Sequence, residues 1–262
     1  MSPLEQIQQH LRSLRMPTAV EIVGDLLTTA TRETWPFETF LAELLEQELE
    51  GRSQRRTERL QKASHLPAGK TLANFDQEHL PLRLIRQLAQ LCTGEFVTRA
   101  ENLLIFGLPG RGKTHFAAAV GHQLVQAGHS VLFTPTYRLV DELLRAKRDL
   151  LLEKVLHHLD TYDVLILDDI GYVQQSRDEM EVLFTLLAER YERRSVVITS
   201  NLVFSQWDQI FKDPMTTAAA IDRVVHHSII VEFGKEITSH RAQEAAQRIQ
   251  EHSPDPLALA QQ

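Results

Sequence analysis

The fold follows from Leu103-Leu104-Ile105-Phe106-Gly107-Leu108-Pro109-Gly110-Arg111-Gly112-Lys113-Thr114, a short apolar run that leads into a glycine-rich loop. The helical pattern Phe116-Ala117-Ala118-Ala119-Val120 comes directly afterwards. This order of strand, glycine loop, Lys-Thr and helix predicts a phosphate-binding P-loop. Glycines let backbone amides turn towards phosphate oxygens, and the helix N-terminus adds partial positive charge. A chance glycine loop is the alternative, which this context disfavours.

Individual loop residues predict contacts with a nucleoside triphosphate. Lys113 is expected to reach the β- and γ-phosphates, and the Thr114 hydroxyl is expected to hold Mg²⁺. The complete predicted nucleotide-binding set is Gly107, Pro109, Gly110, Arg111, Gly112, Lys113, Thr114 and His115.

The amino-acid composition limits which classes of protein this chain can belong to. The chain has 262 residues, 43% hydrophobic and 24% charged, which is enough for a substantial core in one large or two small domains. A net charge of −7 and a pI of about 5.9 argue against a uniformly basic surface but allow local basic stripes. The single cysteine, Cys92, excludes an internal disulfide and fits a reducing compartment. No apolar run approaches the length of a membrane span, so we expect a cytoplasmic protein.

The pattern along the chain predicts two kinds of structure. Residues 1–64 carry apolar side chains at helical spacing and predict a small all-helical domain. Residues 65–74 contain proline and glycine and predict a linker. Residues 75–242 alternate apolar strands with helices, which predicts a parallel sheet covered by helices on both faces. Residues 243–262 are assigned to a C-terminal helix and tail.

The expected elements after the linker follow the apolar runs. The predicted strands are 102–106, 130–134, 163–168, 195–200 and 228–233. The predicted helices are 81–91, 113–127, 136–147, 149–159, 178–192 and 239–251.

Two carboxylates follow one of the predicted strands. Val164-Leu165-Ile166-Leu167 cannot bury unpaired charges, so Asp168 and Asp169 must emerge at its carboxyl end. Ligands bind at this edge of open α/β sheets. Asp168 fits a Walker-B role near Mg²⁺, and Asp169 is a candidate for polarising or deprotonating the attacking water. A helix-capping role is the alternative for either acid.

Two further polar residues lie at strand ends. Asn201 ends the apolar run 196–200 and can orient water or contact the γ-phosphate, because an amide both donates and accepts. Arg223 precedes the last predicted strand, and its guanidinium suits the charge on a transferring phosphoryl group. If Arg223 acts in a neighbouring subunit's site, activity requires assembly. The alternatives are a turn-forming Asn201 and a surface ion pair of Arg223 with Asp222.

Basic stretches and histidine pairs were the remaining candidates for function. Eight basic residues are candidate contacts to DNA phosphates, with a solvated helix face as the ordinary alternative: Arg52, Arg55, Arg56, Arg59, Arg138, Arg145, Lys147 and Arg148. The pairs His157-His158 and His226-His227 predict no metal site, because adjacent residues of a helix or strand point apart.

The order of these motifs resembles an AAA+ ATPase core and, in more detail, the IstB family of transposition helper ATPases, which is related to the DnaC helicase loader. The resemblance covers roughly residues 10–242. It is carried by Leu14-Arg15-Met16-Pro17, Lys70-Thr71-Leu72-Ala73-Asn74-Phe75-Asp76, Gly112-Lys113-Thr114-His115, Leu167-Asp168-Asp169-Ile170-Gly171-Tyr172, Thr199-Ser200-Asn201 and Asp222-Arg223-Val224-Val225-His226-His227.

The resemblance implies a more specific function. It implies ATP with Mg²⁺ and hydrolysis to ADP and phosphate, with Asn201 as sensor 1 and Arg223 as an arginine finger given to the adjacent subunit. It implies an oligomer on duplex DNA in the bacterial cytoplasm that recruits or stimulates a transposase at target sites, with the N-terminal domain mediating assembly. The implied catalytic set is Lys113, Asp168, Asp169, Asn201 and Arg223, with Thr114 and Asp168 holding the metal.

Three positions depart from the family pattern. Arg111 stands where a small or hydroxyl residue is common, and the segment around Arg241 matches loosely. Asp169 stands where most AAA+ proteins have Glu, and the shorter side chain is compatible with hydrolysis but can slow it. Few residues follow Arg241, so a helical lid is expected to be reduced or absent.

Three rival functions share the P-loop. The first is a DnaC-like replicative helicase loader, and the second is an ATP-gated DNA-binding scaffold with negligible hydrolysis. The third, a kinase of a small metabolite, explains neither Asn201 nor the basic stretches.

Overall fold

The computed structural model of the chain describes residues 1–78, 80–172, 176–202 and 224–234. The helices are α1 (Pro3–Ser13), α2 (Pro17–Arg32), α3 (Phe37–Ala63), α4 (Leu82–Leu91), α5 (Glu95–Thr98), α6 (Lys113–Gln126), α7 (Thr136–Arg148), α8 (Leu152–Leu159) and α9 (Arg177–Arg190). The strands are β1 (Asn102–Gly107), β2 (Val131–Pro135), β3 (Val164–Asp168), β4 (Ser195–Ser200) and β5 (Ser228–Phe233), and a 3₁₀ turn covers Ile170–Tyr172. The helix predicted over 239–251, and with it the question of a lid, lies outside the described residues.

The chain divides into two compact units, of which the first spans Met1–Arg59. Its small core is formed by Leu11, Ala19, Val23 and Leu44. Helix α1 starts with a capping box between Ser2 and Glu5, whereas α2 has no side-chain cap from its own N-terminal residues.

Buried Glu48 of α3 supplies the cap that α2 lacks. Its Oε2 accepts a 3.0 Å hydrogen bond from the backbone N–H of Ala19 in the first turn of α2. Its Oε1 accepts hydrogen bonds from Arg52 at 2.8 Å and Arg55 at 3.3 Å. Burial alone raises the pKa of Glu48, but these donors outweigh burial and hold the pKa below its ordinary value. The carboxylate therefore ties α3 to the start of α2.

The second unit, Leu60–Gln262, contains a five-stranded parallel sheet in the order β2-β3-β4-β1-β5. Alternate residues of each strand face opposite sides, so Leu103 and Ile105 pack beneath α4 and α6, whereas Leu104 and Phe106 pack beneath α7 and α9. Burial on both faces explains why the strands are apolar throughout. The predicted α/β class, a parallel sheet flanked by helices and preceded by N-terminal helices, is confirmed.

The predicted elements of the second unit agree with the structure except at their ends. Each predicted strand corresponds to one of β1–β5, and helices α4, α6, α7, α8 and α9 were all expected. The largest difference is at α8, which begins at Leu152 rather than 149. Leu150 has a left-handed backbone with φ of +58°, which ends α7 and delays the next helix.

The segment 65–74, expected to be a linker, packs onto the second unit. Leu66 is 8% exposed and belongs to the core beneath α6, and Leu72 packs against that core. The Phe133 N–H in β2 donates to the carbonyl of Ser64 at 2.7 Å, and a ring nitrogen of His122 lies 3.1 Å from the Pro67 carbonyl. Proline and glycine prevent a helix here, but Leu66 is buried and Leu72 is partly buried.

Arg190, the last residue of α9, is buried and donates hydrogen bonds to backbone carbonyls. The side chain is 1% exposed, and its guanidinium donates to the carbonyl oxygens of Leu159, Tyr162, Asp163 and Ser195 at 2.9 to 3.2 Å. Burial lowers the pKa of Arg190 to about 10, so the group stays charged at neutral pH. The residue thus joins α9 to the loop before β3 and to the start of β4.

No helix among the described residues combines the length and apolar character needed to cross a lipid bilayer.

Candidate nucleotide-binding site

The P-loop connects β1 to α6 at the carboxyl edge of the sheet. Gly107, Gly110 and Gly112 have φ of 152°, 79° and 92°. A Cβ atom at Gly107 would lie 2.6 Å from the Cβ of Phe233, so only glycine fits between β1 and β5. Gly112 is the N-cap of α6, whose first residue is Lys113. Conformation and space therefore require the glycines that the motif predicts.

The strand order brings the other polar residues to the same edge. Strand β4 lies between β1, which leads into the P-loop, and β3, which ends at Asp168. Asn201 directly follows β4. Because the carboxyl ends of parallel strands meet at one edge, Asn201 lies between the P-loop and the acids.

A chain of hydrogen bonds joins the P-loop lysine to the second acid. Lys113 is 6% exposed, and its Nζ donates to Asn201 Oδ1 at 2.6 Å and to the Leu108 carbonyl at 3.0 Å. Asn201 Nδ2 in turn donates to both carboxylate oxygens of Asp169, at 3.0 and 3.1 Å. Asn201 uses its acceptor towards the lysine and its donor towards the acid, so three predicted catalytic residues are brought together.

One hydroxyl on β4 orients both acids. Thr199 Oγ1 donates to Asp168 Oδ1 at 2.7 Å and accepts from the Asp169 N–H at 2.8 Å. Thr199 is 1% exposed, so water does not compete for these bonds. The chain turns sharply after β3, because Asp169 has φ of +59°. From the other side of β3, Thr136 Oγ1 donates to the Asp168 carbonyl at 3.0 Å.

The donor set at this edge fits Mg²⁺. Thr199 occupies Asp168 Oδ1, while Asp168 Oδ2 accepts no hydrogen bond from the described residues and is left for a cation or its water. Thr114, in the first turn of α6, is partly buried and offers a hydroxyl oxygen. Carboxylate and hydroxyl oxygens are ligands that Mg²⁺ prefers.

Other members of the predicted nucleotide-binding set contact neighbouring protein groups. Arg111 Nη1 donates to the Gly234 carbonyl at 3.0 Å, which ties the side chain to the end of β5. His115 Nε2 lies 3.0 Å from the Thr71 carbonyl, and its ring centroid is 4.9 Å from that of Phe75. Pro109 is exposed in the loop. Arg223 and Arg241 lie outside the described residues, so their roles stay predictions.

Two basic residues proposed for DNA contact have structural partners in the first unit. Arg52 Nη2 donates to the Arg15 carbonyl at 2.8 Å, and Arg55 Nη1 donates to Thr18 Oγ1 at 2.7 Å, in addition to their bonds with Glu48. These two guanidiniums therefore hold α3 against the start of α2. Arg56 and Arg59 lie farther along the same helix, with exposed side chains.

The second basic stretch lies on α7. Lys147 forms ion pairs with Glu181 at 2.9 Å and Asp178 at 3.6 Å, and the bond to Glu181 contributes most to raising the pKa of Lys147. The exposed arginines of this helix are Arg138, Arg145 and Arg148. Asp141 and Glu142 are exposed between them, which lowers the net positive charge of this face.

Two site residues escape sequence reasoning, Thr199 and Thr136. Thr199 belongs to a β-branched strand run in which threonine is ordinary, and Thr136 is the first residue of α7, directly after Pro135. The available signal was that a hydroxyl in an otherwise buried apolar strand needs a partner. Identifying Asp168 as that partner required the β3–β4 register, which pairs Leu167 with Ile198.

Comparison with known proteins reveals clear relatives. The family model described as IstB-like ATP binding protein matches residues 9–247. The chain is 42% identical over 251 residues to an insertion sequence ATP-binding protein of Sinorhizobium fredii (strain NBRC 101917 / NGR234), covering 95% of this chain and 83% of the relative. It is 40% identical over 228 residues to the insertion sequence IS21 ATP-binding protein of Pseudomonas aeruginosa, covering 86% and 85%.

Solved structures share the fold. The crystal structure of DnaI superposes with a TM-score of 0.55 at 22% identity, covering 64% of this chain and 95% of that one. The DnaC helicase loader gives a TM-score of 0.52 at 18% identity, covering 63% and 97%. At these identities the likeness shows the AAA+ P-loop fold alone.

Proposed function

The chain belongs to the IstB-like ATP-binding protein family, and from this premise we propose that it is an ATP-hydrolysing, DNA-binding helper of transposition. Relatives are named as ATP-binding proteins of insertion sequences, which supports a mobile element as its context. Assembly as an oligomer on duplex DNA and a cognate transposase as partner belong to the same proposal.

The proposal that the chain hydrolyses ATP rests on one observation. Hydrogen bonds connect Lys113 through Asn201 to Asp169. Lys113 donates here to the neutral oxygens of Asn201 and Leu108, whereas a triphosphate offers oxygens that carry negative charge. An ammonium–phosphate contact adds the attraction between opposite charges, which an amide or carbonyl oxygen lacks. A triphosphate should therefore displace Asn201 from Lys113.

The same exchange prepares the attack on the γ-phosphate. Once released from Lys113, the Asn201 amide can hold the attacking water beside Asp169, which accepts its proton. Mg²⁺ held through Asp168 and Thr114 would neutralise charge on the β- and γ-phosphates. Thr199 keeps both acids in place during the reaction.

We propose that Arg223, which lies outside the described residues, is an arginine finger supplied to another subunit. Val224, the residue after Arg223, accepts a 3.3 Å hydrogen bond from Asn102 at the amino end of β1. The P-loop follows Gly107 at the other end of that strand, about 16 Å away at roughly 3.3 Å per residue. The segment that follows Arg223 therefore meets the sheet at the edge opposite the P-loop, which supports the proposal that the arginine acts in a neighbour's site.

Hydrolysis is tested by phosphate release from ATP with duplex DNA present. Asp169→Ala should lower turnover by about 10²-fold or more, because it removes the general base, while nucleotide affinity stays within a few-fold. Asp178→Ala is the control, since this exposed acid contacts Lys147 rather than the site. If the unaltered protein turns over no faster than Asp169→Ala, the chain is an ATP-gated scaffold.

DNA binding is tested by the salt dependence of affinity for duplex DNA. Arg145 and Arg148 are exposed on α7, and each phosphate contact contributes about 0.9 to the log–log slope. The double change to glutamine should reduce that slope by about 2. Lys147→Gln should change it less, because its ammonium already has two carboxylate partners. An unchanged slope in the double variant would remove α7 from the DNA interface.

The helicase-loader alternative is separated by the partner bound. Co-purification of the full chain with its element's transposase supports the proposal, whereas retention of a replicative helicase without transposase supports the loader.

A further inference from the structure

Glu192, His226 and His227 form a cluster on the second unit, on the amino edge of the sheet. Glu192 lies in the turn between α9 and β4, and the two histidines precede β5. His227 Nε2 is 3.0 Å from Glu192 Oε1. One potential ligand atom from each of the three residues lies within 4.8 Å of the others.

Adjacent histidines converge here, contrary to the expectation from sequence. Their ring centroids are 4.4 Å apart with the planes at 82°. The reason is that His226 ends a helical turn over 224–226 and His227 lies in the turn before β5, so neither regular helix nor regular strand separates the side chains.

The backbone beneath the two histidines is anchored to β1. The Asn102 N–H donates to the His227 carbonyl at 2.7 Å, and Asn102 Nδ2 donates to the Val224 carbonyl at 3.3 Å. These bonds fix both ends of the short segment that carries the imidazoles. The positions of the imidazoles are therefore set by the sheet and not by an unattached loop.

A second layer of contacts supports the histidines. The Tyr191 hydroxyl lies 3.4 Å from His226 Nδ1, and the Tyr191 ring centroid is 6.0 Å from that of His227. Metal-bound histidines commonly use their other ring nitrogen for such a hydrogen bond, which fixes the tautomer and the ring orientation.

We propose that Glu192, His226 and His227 bind a divalent transition-metal ion of the zinc type. Two imidazoles and a carboxylate with water in the fourth position are a donor set that Zn²⁺ accepts in tetrahedral geometry. With bonds of about 2.1 Å, tetrahedral ligand atoms are about 3.4 Å apart, so small side-chain rotations are sufficient. Imidazole ligands do not suit Mg²⁺, so this site is independent of the nucleotide's metal.

An ion at this position joins two segments that are distant in sequence. It would tie the turn before β4 to the turn before β5, the two strands that flank β1. His227 and Glu192 side chains are 42% and 57% exposed, so the ion can enter directly from solvent and exchange. Bound ion should therefore raise the unfolding temperature of the second unit.

The test is titration of the metal-free full chain with Zn²⁺ by calorimetry, without nucleotide, and with Co²⁺ by visible absorption. The unaltered chain should bind one ion with the intense absorption of tetrahedral Co²⁺. Glu192→Gln and His227→Ala should each lose at least tenfold in affinity, and Tyr191→Phe about tenfold through the orientation of His226. Folding of each variant is checked by its circular dichroism and thermal unfolding without metal.

The matched control is His157→Ala, which alters the other adjacent histidine pair. His157 and His158 are exposed on α8, and no described carboxylate joins them in a three-ligand group. His157→Ala should bind Zn²⁺ like the unaltered chain. The proposal is overturned if the unaltered chain shows no saturable Zn²⁺ binding. It is also overturned if His227→Ala binds Zn²⁺ as tightly as the unaltered chain.

Discussion

Replacing Thr199 with valine isolates the hydroxyl that orients both acids. Valine keeps the shape of the side chain in β4 and removes Oγ1, which donates to Asp168 and accepts from the Asp169 N–H. Asp168 then loses its carboxylate bond to β4 and Asp169 loses the acceptor of its N–H, while the bonds from Asn201 to the Asp169 carboxylate and the charge of the site are kept. We expect a large loss of ATP turnover and a moderate loss of stability.

The magnitude follows from the two bonds. A hydrogen bond to a charged group contributes about 1.5–3 kcal/mol, and an unpaired buried N–H costs about 1–3 kcal/mol. Asp168 is only partly buried, so water replaces part of the first bond, and the expected loss in free energy of unfolding is about 3 kcal/mol. Ångström-scale misplacement of catalytic groups costs about 10²-fold in rate, which sets the expected fall in kcat.

Phosphate release measures kcat, a fluorescent ATP analogue measures affinity, and urea unfolding followed by circular dichroism measures stability. Nucleotide affinity should stay within a few-fold, because the P-loop is untouched. Thr199→Ser is the control, since it keeps the hydroxyl and loses one buried methyl group, worth about 1 kcal/mol. The reasoning is refuted if valine leaves kcat within twofold, or if serine lowers kcat as much as valine does.

Four further substitutions test other parts of the structure. Arg190→Ala should lower the free energy of unfolding by at least about 3 kcal/mol in urea titrations, because several carbonyls lose a buried charged donor; a loss below about 1 kcal/mol contradicts this. The lowered pKa of Glu48 means that its stabilisation is complete above the ordinary value of 4.5 and is lost as pH falls through the folded value. Glu48→Gln should therefore speed amide exchange in α2 near neutral pH and flatten its acid dependence, and equal exchange in both proteins would exclude the capping role. Gly107→Ala should abolish nucleotide binding, because the added Cβ clashes with Phe233. Gly112→Ala should only weaken binding through backbone strain, since the added Cβ would lie 3.6 Å from the nearest side chain, Phe75. Weaker nucleotide binding in Gly112→Ala than in Gly107→Ala would contradict this prediction.

The strands of the sheet could be predicted because each one is specified by a short stretch of neighbouring residues. Each strand is a short apolar run, and burial on both faces of a parallel sheet leaves few other arrangements for such runs. The exceptions depended on single backbone conformations or on distant contacts. Leu150 ends α7 with a left-handed φ that the sequence does not reveal, and residues 65–74 pack because Leu66 joins the core beneath α6.

The site was predictable only where chemistry requires a particular residue type. The sequence pattern identifies the loop glycines, the lysine at the helix start and the acids that follow a buried strand. The partners of Arg52 and Arg55 do not, because Arg15 and Thr18 become neighbours only when α3 folds back on α2. Basic residues in a row predict a charged face, but the structure uses these two partly to neutralise Glu48.

The position of Asp168 is a property of three strands together. Thr136, directly after β2, fixes the Asp168 carbonyl, and Thr199 on β4 fixes its carboxylate, so β3 is held from both sides at its carboxyl end. Asn201 lies two residues beyond Thr199 and links the same strand to Lys113. A ligand that draws Lys113 away from Asn201 would therefore release Asn201 Oδ1, while Nδ2 keeps its bonds to Asp169. Because β4 carries both connections, displacement of its carboxyl end would move the two acids and Asn201 as one group.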